Sequence, residues 1–408
     1  MKFTTINTAS DYNSGFRILD PIDKSHSDRG ILAAVIMLAI FGVLAVFSAI
    51  GYYGTLNGST VESKITSHLV KLAITLLAII LTSKVDYRII LKWSSILLLI
   101  SWGLLLYVHL FGDITNGAKR WLSIGGFSFQ PSTLASVALI FRVSHLLAAK
   151  QEYIHSFKLA FVPIMVWIGI TCALIAIQDF STAGILFFIC LIVLFVGRMR
   201  ILHLGAIVLL GILGGTVAVG SSAERVSRIE SYISQVVNIP DEEILTGSGY
   251  QGQQAQIAIA KGELLGVGIG KSTQRDFLPA PYNDFIYAII AEEYGLAGSL
   301  IILLTYCFIL FRGIVITAKK AVDYEGAFLA FGCSLMIALY AFVNAGVATG
   351  LLPVTGLPMP FVSYGGTSML FSGVLIGLIL NISKQQKSSK VQASTTGTYS
   401  SKFATGYQ

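Results

Sequence analysis

The chain has 408 residues, of which 54% are hydrophobic and only 12% charged, and its mean hydropathy is +0.76. Soluble domains carry about 25% charged residues, so an ordinary soluble fold is excluded. The net charge of +7 calls for no nucleic acid, because basic loops facing anionic membrane lipid account for it.

Ten apolar stretches are candidates to cross a bilayer: 30–51, 66–83, 89–110, 131–148, 160–177, 183–197, 201–219, 284–311, 325–347 and 364–383. The sixth and seventh are the least distinct, separated only by Arg198, Met199 and Arg200. Strand-like alternation is absent, which argues against a membrane barrel. The expected fold is all-α: a polytopic integral membrane protein with about ten transmembrane helices and a large extracytoplasmic loop before helix eight. Residues 1–29 form a polar N-terminal segment that carries no cleavable signal. Residues 30–383 form the membrane domain, with the large outer loop at 220–283. Residues 384–408, rich in Ser, Thr and Gly, are expected to be a disordered tail. Most of the 28 lysines and arginines fall on one side when the N-terminus is placed inside. Both termini are therefore expected in the cytoplasm.

Taken in chain order, the first outer loop carries NGAKRWLSIGGFSFQPS at 116–132. Lys119, Arg120 and Trp121 lie at the outer face, against the positive-inside trend. They suit either the head group of an ordinary anionic lipid or a diphosphate substrate, since Arg binds phosphate bidentately and Trp anchors at the interface. Span five ends in Gln178, Asp179, Ser181 and Thr182. These would line a cavity or cap helix ends across a tight turn, with capping the simpler role.

In the second outer loop, residues 221–237 space their apolar positions helically, as a short surface helix would. Residues 266–272 read GVGIGKS, but the glycine spacing of a phosphate-binding loop fails because position 265 is Leu265. Asp284 follows Pro279 and Pro281 at the entry to span eight. It reads equally as a helix cap and as a reactive carboxylate. Glu292 and Glu293 lie about two turns further on. Acidic groups at that depth are costly and face the bundle interior, so at least one is expected to be structural.

Residues 350–368, GLLPVTGLPMPFVSYGGTS, hold three of the nine prolines and four glycines between two apolar stretches. No ordinary helix tolerates that density of breakers. Irregular backbone at membrane level is stable only against protein or a wet cavity. The run is therefore read as a built surface, with Ser363, Tyr364, Gly365 and Gly366 as candidate substrate-binding positions. Cys172, Cys190, Cys307 and Cys333 form no spaced pair, and the six histidines are scattered. Neither a disulfide framework nor a metal site is suggested.

Together these runs resemble the shape, elongation, division and sporulation family of integral membrane glycosyltransferases. The matching segments are NGAKRW at 116–121, FQPS at 129–132, GYQGQQAQIAIAKG at 249–262, GVGIGKSTQRDFLP at 266–279, DFIYAIIAEEYGLAG at 284–298 and NAGVATGLLPVTGLPMPFVSYGGTS at 344–368. The wording of the second outer loop is closer to the division member than to the elongation member. The resemblance implies polymerisation of lipid II, an undecaprenyl-diphosphate-linked disaccharide-pentapeptide, at the outer face of the bacterial cytoplasmic membrane. It implies Asp284 as the essential carboxylate and Arg120 as the arginine of the first-loop motif. It also implies a class B penicillin-binding transpeptidase and other division-site membrane proteins as partners. No cofactor is demanded, although a divalent cation, Mg or Mn, would assist a diphosphate leaving group.

The sequence departs from the family pattern in three places. Thr133 and Ser136 stand where the family has Glu and Lys, and Ala280 stands where it often has Glu. Gln178, Asp179, Phe180, Ser181 and Thr182 replace its Pro-Asp-Xaa-Gly-Thr. Two other functions stay open: a lipid-linked precursor flippase, and a non-catalytic scaffold that activates its transpeptidase. A flippase should carry polar residues through its midplane and show repeat symmetry. Here the unusual residues gather at the outer ends of the spans.

Overall fold

A computed structural model describes residues 28–50, 61–115, 118–124, 127–237, 247–279 and 281–403. Residues 1–27, nearly all of the expected N-terminal segment, and Ala280 lie outside the described residues. Among the described residues, twelve α-helices and a small sheet follow in order: α1 (Arg29–Ile50), α2 (Val61–Thr82), α3 (Tyr87–Phe111), β1 (Asp113–Thr115), β2 (Ala118–Ile124), β3 (Phe127–Phe129), α4 (Pro131–Ala149), α5 (Val162–Gln178), α6 (Phe180–Val196), α7 (Ile201–Gly220), α8 (Ala223–Val237), α9 (Gly247–Gly262), α10 (Ile286–Phe311), α11 (Tyr324–Ala348) and α12 (Thr367–Phe403).

Among the described residues, nine helices are long and apolar enough to cross a membrane, and Phe180–Val196 is a shorter apolar one. The ten expected spans thus all fall on helices. Two features differ from the sequence reading. The first outer loop forms an antiparallel sheet in the order β1-β2-β3, with Asp113 opposite Trp121 and Leu122 opposite Phe129. β1 and β3, three residues each, are too short to give a readable alternation, and the seven residues of β2, AKRWLSI, do not alternate. The helix of the last span also continues to Phe403, where a disordered tail from residue 384 was expected. No proline interrupts it.

Carboxylates start several helices. Asp28 accepts hydrogen bonds from the Gly30 and Ile31 amides at 2.9 and 3.2 Å and pairs with Arg312 at 2.8 Å. That ties the start of α1 to the end of α10. Asp86 caps α3. Asp323 caps α11 through the Gly326 amide at 2.7 Å and also receives Arg88 at 2.7 Å. Each carboxylate satisfies amides that a helix start leaves without partners.

The core lies around α4, α11 and the Thr367–Gln385 part of α12, most of whose described side chains are buried. Glycines set the closest approaches. A Cβ at Gly373 would lie 2.8 Å from the Thr75 carbonyl, and one at Gly377 would lie 1.8 Å from Thr82 Oγ1. These two positions, four apart, let α12 lie directly against α2, as small residues do between membrane helices. A Cβ at Gly42 of α1 would lie 2.5 Å from the Phe361 carbonyl, so α1 supports the 350–368 segment from behind. In contrast, α7 buries only Leu204 and Ile207.

Candidate active site

Asp284 lies in the turn 281–285, outside the membrane-spanning helix that follows it. The N-cap of α10 is Phe285, and no side chain caps that helix. The capping reading of Asp284 is therefore wrong, and its carboxylate is left for other work. Its backbone is fixed instead. Asn344 of α11 donates from Nδ2 to the Asp284 carbonyl at 2.9 Å and to the Leu357 carbonyl at 2.7 Å. Ser363 Oγ accepts from the Met359 amide at 2.8 Å and donates to the Asn283 carbonyl at 2.7 Å. The Tyr364 amide donates to the Tyr282 carbonyl at 2.8 Å. The 350–368 segment is thus hydrogen-bonded along the turn that carries Asp284, which is why it needs an irregular backbone.

That segment turns sharply at Phe361, which has φ of +64° and is buried. A bulky residue at positive φ is strained. The Val362 and Ser363 amides close the turn on the Met359 carbonyl, and Tyr306 Oη donates to the Pro360 carbonyl. Gly356, at φ +71°, passes the site where a Cβ would sit 3.5 Å from Asp284 Oδ2. Only glycine takes this backbone conformation without cost.

Arg120 on β2 donates from Nε to the Gln178 carbonyl at 2.8 Å and sits 3.8 Å from Asp179 Oδ2. Asp179 also caps α6 through the Thr182 amide at 3.1 Å, and Gln178 Nε2 reaches the Leu105 carbonyl at 2.7 Å. The capping role expected of the 178–182 segment is present, and the same residues also orient Arg120. Burial, aided by the Asp179 charge and opposed by Arg120, raises the Asp284 carboxyl from 3.8 to about 6. Among the described residues, no hydrogen bond reaches its carboxylate oxygens. Several polar atoms at the same end of the bundle are enclosed with no partner: Thr182 Oγ1, Asn283 Oδ1, Asn344 Oδ1 and Thr355 Oγ1. Enclosed unpaired groups are rare unless a ligand or solvent serves them.

The other expected residues divide. Trp121 lies half-buried on β2 opposite Asp113, and Lys119 lies on β2 opposite Ile114. Ser363 and Tyr364 belong to the wall behind Asp284. Gly365 and Gly366 follow them, and neither has positive φ. Gly365 is packed, since a Cβ there would meet Ser368 Oγ at 2.3 Å, whereas Gly366 is open to 3.7 Å. Thr133 lies in the first turn of α4, and Ser136, fully buried, donates to the Ser132 carbonyl at 2.8 Å. The substitution of Glu and Lys by these residues leaves no unpaired charge there.

Glu292 and Glu293 are 0% and 1% exposed. Glu292 receives Ser272 Oγ, the Thr273 amide at 3.0 Å, Thr273 Oγ1 at 3.1 Å and the Gln274 amide at 3.3 Å. Glu293 receives Ser48 Oγ and the Ser272 amide at 3.3 Å. The expected structural role is present, with hydroxyls and amides as partners. The 266–272 run, dismissed as a phosphate loop, is the other half of this clasp. Its Val267 and Gly268 amides bond the Glu292 and Glu293 carbonyls at 2.9 and 3.1 Å, where α10 breaks at Gly295.

Sequence reasoning did not single out Asn344 or Gly356, which carry no signal without the fold, nor Lys64 and Lys71, which sit with His68 on one face of α2 at helical spacing.

A profile of the FtsW, RodA and SpoVE family, described as "Cell cycle protein", matches residues 29–388. The chain is 35% identical over 368 residues to "Stage V sporulation protein E" of Bacillus subtilis (strain 168), covering 89% of this chain and 99% of that protein. It is 32% identical over 364 residues to "Probable peptidoglycan glycosyltransferase FtsW" of Geobacter sp. (strain M18), covering 88% and 97%. Its fold matches a chain in a solved structure described as "Structural coordination of polymerization and crosslinking by a peptidoglycan synthase complex". The TM-score is 0.72 at 24% identity, covering 88% of this chain and 98% of that one. The rod shape determining protein RodA of Thermus thermophilus matches with a TM-score of 0.62 at 23% identity, covering 88% and 97%. On a profile match across nearly all of the bundle, and on relatives aligned over almost their whole length, this multi-pass membrane protein belongs to the FtsW, RodA and SpoVE family.

Proposed function

We propose that this chain is a peptidoglycan glycosyltransferase that polymerises lipid II at the outer face of the cytoplasmic membrane during cell division. The observation that carries the reading is the Asp284 carboxylate, half-buried, unbonded and close enough to Arg120 to feel its charge. Asp284 takes the proton from the acceptor sugar hydroxyl as that oxygen attacks the anomeric carbon of the donor. The bond from that carbon to the phosphate oxygen breaks, and undecaprenyl diphosphate leaves with the electron pair. Arg120, with Lys119 on the same strand, steadies the charge that builds on the departing diphosphate. Asn283, Asn344 and Thr355 offer unpaired polar atoms for sugar hydroxyls. A Mg or Mn ion would add further neutralisation of the diphosphate, but among the described residues no three His, Cys, Asp or Glu side chains gather to hold one, and no step is assigned to it. Trp121, Tyr364 and Gly366 line the approach, and Ser363, buried behind them, holds the turn that carries Asp284.

The relatives named FtsW support a division role, and the likeness to a chain of a peptidoglycan synthase complex supports a class B transpeptidase partner. Basic residues at the other end of the bundle support cytoplasmic termini. The polar cluster at one end of the bundle favours chemistry at a face over transport through the midplane.

The test is a gel assay for glycan polymer from purified lipid II, with the wild-type chain and Asp284→Asn, each with and without the cognate transpeptidase. Polymer from the wild type alone supports the base assignment. Polymer from Asp284→Asn at wild-type yield refutes it. No polymer from well-folded wild-type protein in any mixture supports a scaffold and points to Thr133 and Ser136 as the cause.

A further inference from the structure

One face of α2 carries Lys64, His68, Lys71 and Thr75, spaced four, three and four residues apart, so all four point the same way. They point at the segment that enters α12. Lys71 Nζ lies 3.8 Å from the centroid of the Tyr364 ring, and Lys64 Nζ lies 5.2 Å from that of Tyr282. The two tyrosines meet edge to face at 5.4 Å, and Tyr364 Oη hydrogen-bonds Ser67 Oγ at 3.2 Å. His68 stacks on Tyr364 at 5.7 Å, is 1% exposed, and has both ring nitrogens enclosed without a partner. A Cβ at Gly366 would be 3.7 Å from Lys71 Cε, so the ammonium stem runs along bare backbone.

Lys71 sits on a helix long and apolar enough to span the membrane. Among the described residues no carboxylate lies within ion-pair distance of it. An ammonium at such depth is costly and marks a functional position unless something negative meets it. Aromatic faces hold the charge in place but do not neutralise it. The close packing of α2 on α12 through Gly373 and Gly377 fixes this geometry.

Glycan polymerisation joins two lipid-linked sugars, so two diphosphates must be present at once. Arg120 answers for one. Tyr282 is two residues from Asp284 and is bonded to Tyr364, which places the base between the Arg120 side and the Lys71 side. We propose that Lys64, Ser67, His68 and Lys71 of α2, with Tyr364 and Gly366, form a second anion subsite that holds the diphosphate of the second polyprenyl-linked substrate. This rests on the glycosyltransferase reading above. Phosphate oxygens there replace the Tyr364 ring as the partner of the Lys71 ammonium. The same chemistry would accept an anionic phospholipid head group, so the test must separate the two sources.

The experiment is native mass spectrometry of the full chain in detergent, titrated with undecaprenyl diphosphate. The wild type should bind two molecules. The double variant Lys64→Gln with Lys71→Gln should bind one, with the lost affinity weakened about ten- to a hundredfold, as expected for charge-assisted bonds. That remaining molecule should be lost on adding Arg120→Ala, and Lys71→Arg should restore the second. Matched melting temperatures show that the variants fold; if the double variant does not, Lys71→Gln alone is read the same way. Two molecules retained by the lysine variants, or a wild type that binds at most one, overturns the proposal. Displacement of the α2-bound molecule by equimolar phosphatidylglycerol also overturns it, because the site is then a head-group site. Failure of the glycosyltransferase reading appears separately, as absent polymer with two molecules still bound.

Discussion

Asp284 is raised to about 6 chiefly because its surroundings disfavour a charge, with Asp179 adding to the effect. The group binds its proton more tightly in the folded chain than in the unfolded one. Its contribution to stability is therefore present below about pH 4 and is lost as pH rises through about 6. Asp284→Asn should accordingly raise the melting temperature at pH 8 and leave it nearly unchanged at pH 4, which thermal unfolding at the two values checks. In its proposed role as base the same carboxylate must be ionised, so the polymerisation rate should fall about tenfold per pH unit below about 6. A flat profile between pH 5 and 7 would assign the base elsewhere. Arg120 holds a carbonyl and a carboxylate through different nitrogens. Arg120→Lys keeps the charge but loses that fork, and should cost about tenfold or more in polymerisation with little change in melting temperature.

The loop between α9 and α10 is held by two carboxylates on α10 and by Gly266, whose φ is +83° and whose Cβ would sit 2.1 Å from the Glu293 carbonyl. Gly266→Ala has no low-energy backbone to adopt and should lower the melting temperature markedly. Glu292→Leu removes the acceptor for Ser272, Thr273 and Gln274 together. Each buried donor left unpaired costs about 1 to 3 kcal/mol. Faster hydrogen exchange at the Thr273 and Gln274 amides is the expected readout. Unchanged exchange would show that the Val267 and Gly268 amides hold the loop alone. Because this loop leads directly into 281–285, its looseness should be felt at Asp284 as a lower rate.

The bundle is unevenly consolidated. Helices α4 and α11 and the Thr367–Gln385 part of α12 are mostly buried, while α7 offers only Leu204 and Ile207 to its neighbours. An element with so little buried area is the least tied to the rest. Spin labels at Leu210 on α7 and Leu99 on α3 should give a broader distance distribution than labels at Leu99 and Leu300 on α10. All three positions are exposed. Equal widths would mean that lipid or a partner chain holds α7 as firmly as the core helices.

The sequence by itself determined the membrane class, the positions of the ten spans and the 350–368 segment as a built surface. These follow from apolar length and breaker density, both of which are local, whereas Asp284 and Arg120 were singled out as a pair only through the family resemblance. Only the tertiary structure decided that Asp284 caps nothing, because a cap and a free carboxylate share the same local sequence. The Ser272–Glu292 bond, the Asn344 bridge to Asp284 and the meeting of Lys71 with Tyr364 join residues between 20 and almost 300 positions apart. No periodicity encodes such pairings. Close approaches at glycines accompany them: Gly373 and Gly377 bring α12 onto α2, Gly42 admits the 350–368 segment against α1, and Gly266 lets the α9–α10 loop lie on α10.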